Sequence, residues 1–472
     1  MSGETMRLSY SETMRRLPPT WKEDLIPSIR KAFAAANSTL IVMDDDPTGC
    51  QTVHDIPILT AWPVKALRAE FERSPAFFIL TNSRSLPARE AIELNREVAQ
   101  NITEAAGQAG RRFMVISRSD STLRGHFHAE IETLKEQFGL HKAVTLCVPA
   151  FFEGGRFTID DFHYVKEGND LVPAAETPYA KDPSFGFVSS NLRDYIREKM
   201  GEAVGRDDIC SISLEDIRRG GPEAVAHRLR TCRDGGFCVV NACDRSDMDV
   251  VVLAVFRAME QGKQFLFRTA AAIIPALIGL EPRGLLGADD FSSPQEGCGL
   301  IVVGSFVPMS SRQLEHLLAN ADVRPVELNV RRLLFADRQT EIERVMGEAN
   351  RSVGMQRDTV IYTSRELVTG ATAEESIRIQ AVVAGALIEI VRGISAAPRY
   401  ILAKGGITSN DIAAKALGVQ RAIVMGQIIP GVPVWSLGEG SRFPGMSYVV
   451  FPGNVGSETA LTDVVRALKA RA

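Results

Sequence analysis

The sequence predicts an α/β protein: two α/β domains with largely parallel sheets and an interdomain cleft. Three observations carry that expectation. The chain has 472 residues, 45% hydrophobic and 24% charged, an ordinary globular balance in a chain too long for one compact core, so two domains are expected. Short β-branched or aliphatic runs alternate with segments of helical 3.6-residue period, the pattern of parallel α/β sheets. Around 281–299 the stretch EPRGLLGADDFSSPQEGCG is rich in Gly, Pro, Ser and acid without sustained periodicity, which marks a linker. The expected domains are therefore 1–285, opening with a helical extension over 1–37, and 298–472.

In order along the chain, WKEDLIPSIRKAFAAA is an amphipathic segment of that extension. TLIVMD, AFFILT, RFMVISR, AVTLCVPA and GFCVVNA then read as strands. Several end directly in polar residues: Asp44 to Asp46, Asn82 to Ser85, and Ser117 to Thr122. Ligands of open α/β sheets sit beyond the carboxyl ends of the strands, so these clusters are expected to line one crevice. Past the linker, LIVVGS, DTVIYTS, RYILAKGG and SYVVFPGN are strands, each followed by a helical pattern. There is no sequence repeat, heptad pattern or low-complexity tract.

Composition excludes several function classes. The formal charge is -4 and the pI about 6.1, and no basic stripe is interleaved with aromatics, so a nucleic-acid partner is not expected. The N-terminus mixes both charge signs without a continuous apolar segment, giving neither signal peptide nor membrane anchor; a cytoplasmic location follows. The seven cysteines include no CxxC pair and are expected reduced and mostly buried, without structural zinc. His126 and His128 open a helix whose apolar face is Phe127, Ile131, Leu134 and Phe138, so a metal role is not assigned to them.

In IVMDDDPTGC, three successive carboxylates, Asp44, Asp45 and Asp46, stand where an apolar run stops. Adjacent carboxylates repel and raise one another's proton affinity, so something cationic should offset them. Arg84, Arg118, Arg124 and Arg156 occur in matching positions, and arginine forks bind carboxylates bidentately. A site of Asp45, Asp46 and Asp120 with Arg84 and Arg124 would suit a small molecule bearing hydroxyls and a carboxylate. The blander reading makes Ser121–Thr122 or Asp120 a helix cap and Arg124 a surface residue.

Three strand-to-helix junctions of the second domain share glycine turns: Gly304-Ser305, Lys404-Gly405-Gly406-Ile407-Thr408-Ser409, and Pro452-Gly453-Asn454-Val455-Gly456-Ser457. Such turns present free amides at helix N-termini, and glycine lets the main chain approach an anion. Phosphate is the natural guest; caps without any ligand are the alternative for a single turn, and three together favour a nucleotide. No GxxxxGK[ST] occurs, so the usual P-loop is absent. Lys404 could reach a phosphate or be a solvated strand-end lysine. IIPGVPVW, with prolines flanking Gly431, would form a rigid loop that walls a base or ribose or merely reverses the chain.

The ordered blocks DDPTGCQTVHD, TNSRSL, SDSTLRGHFHAEI, VPAFFEGGRFTIDDFHYV, AETPYAKDP, LAKGGITSNDIAAKALG, IIPGVPVW and VVFPGNVGSETAL resemble the four-carbon acid sugar kinase family, from about Leu40 to the C-terminus. The resemblance implies an N-terminal domain for a threonate, erythronate or 3-oxo-tetronate and a C-terminal domain for ATP. Its Asp-Asp-x-Thr-Gly motif falls on Asp45, Asp46, Thr48 and Gly49, and its Asp-Ser-Thr-x-Arg-Gly motif on Asp120 to Gly125. It implies catalytic Asp45, Asp46 and Asp120; substrate binding by Ser83, Arg84, Ser121, Arg124 and Arg156; and nucleotide binding by Ser305, Gly405, Gly406, Ile407, Thr408, Gly453, Asn454 and Gly456. Two departures stand out: Arg118, where the family often has lysine, and Asp161, where it often has glycine.

The implied reaction moves the γ-phosphoryl group of ATP to a terminal hydroxyl of the acid, with Mg²⁺ on the phosphates and closure of the cleft before transfer. Asp45 is the preferred proton acceptor, with Asp46 or Asp120 as substitutes; no metal ligands are assigned. Sugar acid and ATP are the small-molecule partners, a membrane is not one, and a homodimer is compatible with the sequence. Two alternatives compete. Asp44-Asp45-Asp46-Pro47-Thr48 also reads as the DxDxT of a haloacid-dehalogenase-type phosphatase, with Asp44 as nucleophile, Asp46 as acid/base and Asp289-Asp290 on Mg²⁺; the other is a non-catalytic nucleotide or sugar-acid sensor.

Overall fold

The computed structural model describes residues 7–291, 297–366, 368 and 373–469. Of the expected linker, 292–296 lie outside the described residues. The chain divides into two compact units, one of Met1–Val53 and Ala61–Pro282, the other of His54–Thr60 and Arg283–Ala472. The break at 282/283 falls near the expected boundary, but His54–Thr60 changes sides. The cause is Ile56–Leu59, a wholly buried strand that pairs antiparallel with Arg421–Ile429, Leu59 opposite Arg421 and Ile56 opposite Val424.

The main sheet of the first unit is parallel throughout. Its strands run in the spatial order Ile209–Ile212, Phe237–Val240, Val144–Val148, Phe265–Thr269, Arg112–Arg118, Ser38–Asp44, Ala76–Leu80. Such strands are covered on both faces and so need near-continuous apolar runs; Thr39 to Asp44 are all buried. Two of these strands, ICSI and FLFRT, escaped the sequence reading because each is short and interrupted by polar residues. The helix Ala88–Ala109 crosses from Ala76–Leu80 to Arg112–Arg118, the two strands that flank Ser38–Asp44, and stops at Gly110, whose φ of 63° closes its C-terminus.

A small antiparallel sheet joins Leu8–Ser9, Asp170–Pro173, Phe162–Glu167 and Arg156–Ile159. The N-terminal extension is thus not purely helical: a strand precedes the helices Tyr10–Arg16 and Ile26–Ala36. The turn between Arg156–Ile159 and Phe162–Glu167 holds Asp160 and Asp161 at φ 49° and 66°, the left-handed pair of a type I′ hairpin. This explains the departure from glycine at 161. The Asp161 amide donates to Asn241 Oδ1 at 2.7 Å and its carboxylate accepts from Asn241 Nδ2 at 2.9 Å, so the side chain anchors a turn that glycine would merely permit.

The cysteine expectation needs one correction. Cys210, in the strand Ile209–Ile212, forms a disulfide with Cys232, at the end of the helix Gly221–Thr231. Their separation of 22 residues is no recognisable spacing; the fold, not the sequence pattern, brings them together. Cys50, Cys147, Cys238, Cys243 and Cys298 are free and buried, as expected.

In the second unit, Ile56–Leu59, Arg421–Ile429, Val432–Leu437 and Ser447–Phe451 pair antiparallel. The sheet continues in parallel through Tyr400–Lys404, Gly299–Val303, Thr359–Thr363 and Arg324–Leu328. IIPGVPVW is a hairpin: Ile429 pairs with Val432 and Gly431 takes φ 82°, so this segment reverses the chain. No helix among the described residues is long and apolar enough to cross a membrane.

Candidate active site

Four adjacent strands of the first unit, Phe265–Thr269, Arg112–Arg118, Ser38–Asp44 and Ala76–Leu80, end side by side. Their carboxyl ends deliver Arg268 and Thr269, Arg118 to Asp120, Asp44 to Asp46, and Ser83 with Arg84 to one place. The acidic run is neutralised as its chemistry requires. Arg84 grips Asp45 with Nε at 3.1 Å and Nη2 at 2.5 Å, and reaches Asp46 with Nη1 at 3.2 Å. Arg118 donates to Asp44 Oδ1 at 2.9 Å. Ser119 Oγ donates to Asp45 Oδ2 at 2.6 Å. Burial pushes the Asp44 carboxyl up to about 7 despite Arg118 beside it. Burial acts upward on Asp46 too, but there Arg84, Arg118 and the hydrogen bonds from Thr48 outweigh it and hold the carboxyl below its usual range.

The three candidate bases separate clearly. Asp45 is buried and both its oxygens are taken by Arg84 and Ser119, so the sequence preference for it as proton acceptor is not what the geometry favours. Asp46 spends Oδ1 on the Thr48 amide and hydroxyl, at 2.8 and 2.5 Å. Asp120 accepts from Arg124 Nε at 2.6 Å and from Thr122 through Oδ2 alone; its Oδ1 has no hydrogen bond among the described residues. Burial raises its proton affinity, yet Arg84 and Arg124 prevail and keep it ionised well below the usual carboxylate range. Asp44 is fully buried, and a Cβ on Gly49 would collide with its carboxylate. It cannot serve as the nucleophile of a DxDxT phosphatase.

Other expected residues are placed differently. Ser83 is buried and donates to Glu130 Oε1 at 2.7 Å, so it supports the site from below. Ser121 is no helix cap, because the helix starts at Phe127; its carbonyl instead accepts from His163 Nε2 at 2.7 Å. The intervening Leu123 takes φ 68°, a conformation costly for a bulky residue, with its carbonyl held by Tyr195 Oη at 2.8 Å. Arg156 is not drawn into the cluster; its Nη1 donates to the Gly154 carbonyl. Arg268 and Glu130, a buried pair, were missed by sequence reasoning. An arginine inside the apolar run FLFRT was the available signal.

In the second unit the three glycine turns follow the neighbouring strands Gly299–Val303, Tyr400–Lys404 and Ser447–Phe451, so adjacency in the sheet brings them together at Ser305. A Cβ on Gly405, whose φ is 118°, would stand 3.1 Å from Ser305 Cβ, and one on Gly453 3.0 Å from Ser305 Oγ. Gly304, Ser305, Gly405, Gly406, Ile407 and Thr408 line a cavity of about 280 Å³. Phe306 and Ile407, 46% and 55% exposed, add apolar surface there. Asn454 is exposed and Gly456 packs on Ala460, both farther along the third turn.

Lys404 is neither a phosphate ligand nor a solvated lysine. It is fully buried, 4.0 Å over the Phe451 ring, and donates to the Pro452 and Gly453 carbonyls at 2.8 and 3.3 Å. Burial pushes its pKa down to about 7. Arg365, also missed, donates to the Ser305 carbonyl at 2.8 Å.

The first unit thus carries an arginine- and carboxylate-lined cluster, and the second a cavity walled by glycine turns. Residues 40–277 match the family model of a sugar-binding N-terminal domain, and residues 300–461 that of a nucleotide-binding C-terminal domain. The chain belongs to the four-carbon acid sugar kinase family. It is 25% identical over 406 residues to a D-threonate kinase of Salmonella typhimurium, spanning 83% of this chain and 88% of that one. It is 26% identical over 399 residues to a 3-oxo-tetronate kinase of Pseudomonas fluorescens, spanning 82% and 84%. Among solved structures, a Haemophilus influenzae protein superimposes with TM-score 0.62 at 18% identity, covering 91% of this chain and 100% of that one. A Salmonella typhimurium LT2 protein gives 0.66 at 18%, covering 90% and 98%. At that identity the likeness establishes the fold.

Proposed function

We propose that this chain is an ATP-dependent kinase that transfers the γ-phosphoryl group to a terminal hydroxyl of a four-carbon sugar acid of the threonate, erythronate or 3-oxo-tetronate type. The observation that carries the reading is the meeting of three glycine turns at Ser305, a cradle that any Cβ on Gly304, Gly405 or Gly453 would crowd. The acid binds among the arginines and aspartates of the first unit and the nucleotide in the cavity of the second. Phe306 and Ile407 supply apolar surface for a base, and the turn amides face its phosphates.

Asp120 is the group that accepts the acceptor hydroxyl's proton, since it alone of the three candidates keeps a whole oxygen unbonded among the described residues. Its ionised state suits an orienting carboxylate, because phosphoryl transfer depends on positioning and charge neutralisation more than on a strong base. Mg²⁺ would supply charge neutralisation on the β and γ phosphates. The carboxylate lining the nucleotide cavity, Glu366, is held by Arg331 at 2.6 and 3.1 Å. The cavity therefore offers the ion hydroxyls such as Ser305 and Thr408, and the phosphates themselves would be its main ligands. The test is ADP formation with ATP, Mg²⁺ and a panel of four-carbon sugar acids. Acid-dependent ADP release is expected; silence across the panel overturns the reading.

A further inference from the structure

The first unit holds a half-open cavity of about 20 Å³ whose polar side is Ser119, Asp120, Arg124, Arg268 and Thr269, with Phe127, Pro149 and Tyr195 among its apolar walls; the two arginines offset the charge of Asp120 for an anionic guest. The volume holds little more than one water-sized group, too small for a whole sugar acid and right for one end of it. Thr269 is 3% exposed, yet its Oγ1 has no hydrogen-bond partner among the described residues. A buried hydroxyl left so has given up its water without a replacement, so a polar guest is expected to meet it. Arg268 is anchored from behind. Its Nη1 donates to Ser117 Oγ at 2.7 Å and to Glu130, and its guanidinium stands 5.6 Å from the Phe127 ring centroid. Its Nη2 makes no hydrogen bond among the described residues and lies 3.2 Å from where a Cβ on Gly125 would stand. Gly125, at φ 124°, leaves that edge of the fork uncovered.

We propose that this cavity is the carboxylate subsite: Arg268 and Thr269, with Arg124, hold the acid end of the substrate and set the distance from it to Asp120. The inference rests on the sugar-acid reading above and deepens it. It assigns binding roles to two residues outside the family motifs quoted earlier. Planar donors of an arginine match a carboxylate in pairs, and apolar walls that exclude water strengthen such a bond. A neutral four-carbon polyol can offer Thr269 a hydroxyl but brings Arg268 neither charge nor paired acceptors, so the subsite selects acids over polyols of equal length.

The test is calorimetric titration of the full-length protein with D-threonate, D-erythronate and the corresponding neutral polyols, threitol and erythritol, without nucleotide. The wild-type protein is expected to bind at least one acid, and the matching polyol at least 100-fold more weakly. Thr269→Val, which keeps the shape of the side chain and removes only the orphan hydroxyl, is expected to weaken acid binding about tenfold or more. It should leave the melting temperature unchanged. Arg268→Lys, which keeps the charge opposite Glu130 but loses the fork, should weaken acid binding to a similar extent. Equal acid affinity in wild type and Thr269→Val overturns the proposal and makes the cavity a site for water only. Absence of acid binding by the wild-type protein, with 3-oxo-tetronate included among the acids titrated, overturns the sugar-acid reading along with it.

Discussion

Asp45 and Asp120 divide the roles within one charge cluster, and substitution should separate them. Removing the Asp45 charge takes from Arg84 the partner it grips with two nitrogens and leaves it Asp46 alone; losing the whole of a buried pair costs about 3–5 kcal/mol, and this partial loss less. Asp45→Asn is therefore expected to lose stability in denaturant titrations. Asp120→Asn should fold normally and lose roughly 10²–10⁴ in kcat, with a small change in the KM for the acid. Equal stability losses for the two would contradict the division. His163 gives a separate test. Burial holds its pKa at about 4 against 6.5, so between those values the unfolded chain binds more protons, and stability falls as pH drops through that window. The full effect is about 3 kcal/mol. Wild type should lose more stability than His163→Gln between pH 7 and pH 4, and parallel losses would refute the assignment. The charged residues of this cluster were legible as types and positions, because consecutive acids demand cations. Which of them face a ligand was not. That depends on strand order, which set Ser83 below the site and brought in Arg268 from a strand too short to notice, while Arg156 stands on the separate small sheet with its guanidinium on the Gly154 carbonyl.

The glycine turns were visible because their composition is dictated by close approach of backbone to neighbour. Gly405 illustrates it: its φ of 118° is closed to alanine, and Gly405→Ala is expected to cost about 1–3 kcal/mol and to raise the KM for ATP while sparing that for the acid. Lys404→Met should raise the KM for ATP about tenfold, by releasing the Pro452 and Gly453 carbonyls that its ammonium holds. Initial-rate kinetics at saturating acid would read both. The strands that went unseen, among them Arg324–Leu328 and Val432–Leu437, are short, edge-placed or antiparallel, where alternating or Pro-containing sequence gives weak period. The Cys210–Cys232 bridge was equally invisible. Closing a loop of 22 residues' separation, it should contribute about 3 kcal/mol, so reductant should lower the unfolding midpoint of the wild type and leave Cys232→Ala unmoved.

Across the whole molecule, the loss of periodicity over 281–299 lies beside the break between the two compact units at 282/283. The excursion of His54–Thr60 into the other unit was not readable, since nothing in IPIL distinguishes its partner. It makes the second unit discontinuous in sequence. A fragment beginning at Arg283 should therefore leave Arg421–Ile429 as an open edge and aggregate, whereas fusion of residues 54–60 to it should restore a monodisperse species in size-exclusion chromatography.

That same discontinuity bears on biosynthesis. Leu59 and its partner Arg421 leave the ribosome about 360 residues apart, which at 5–20 residues per second is roughly 20–70 s. During that interval an apolar tetrapeptide waits without the neighbour it needs, so the nascent polypeptide passes through a long window of chaperone dependence before its earliest-made edge can be sealed.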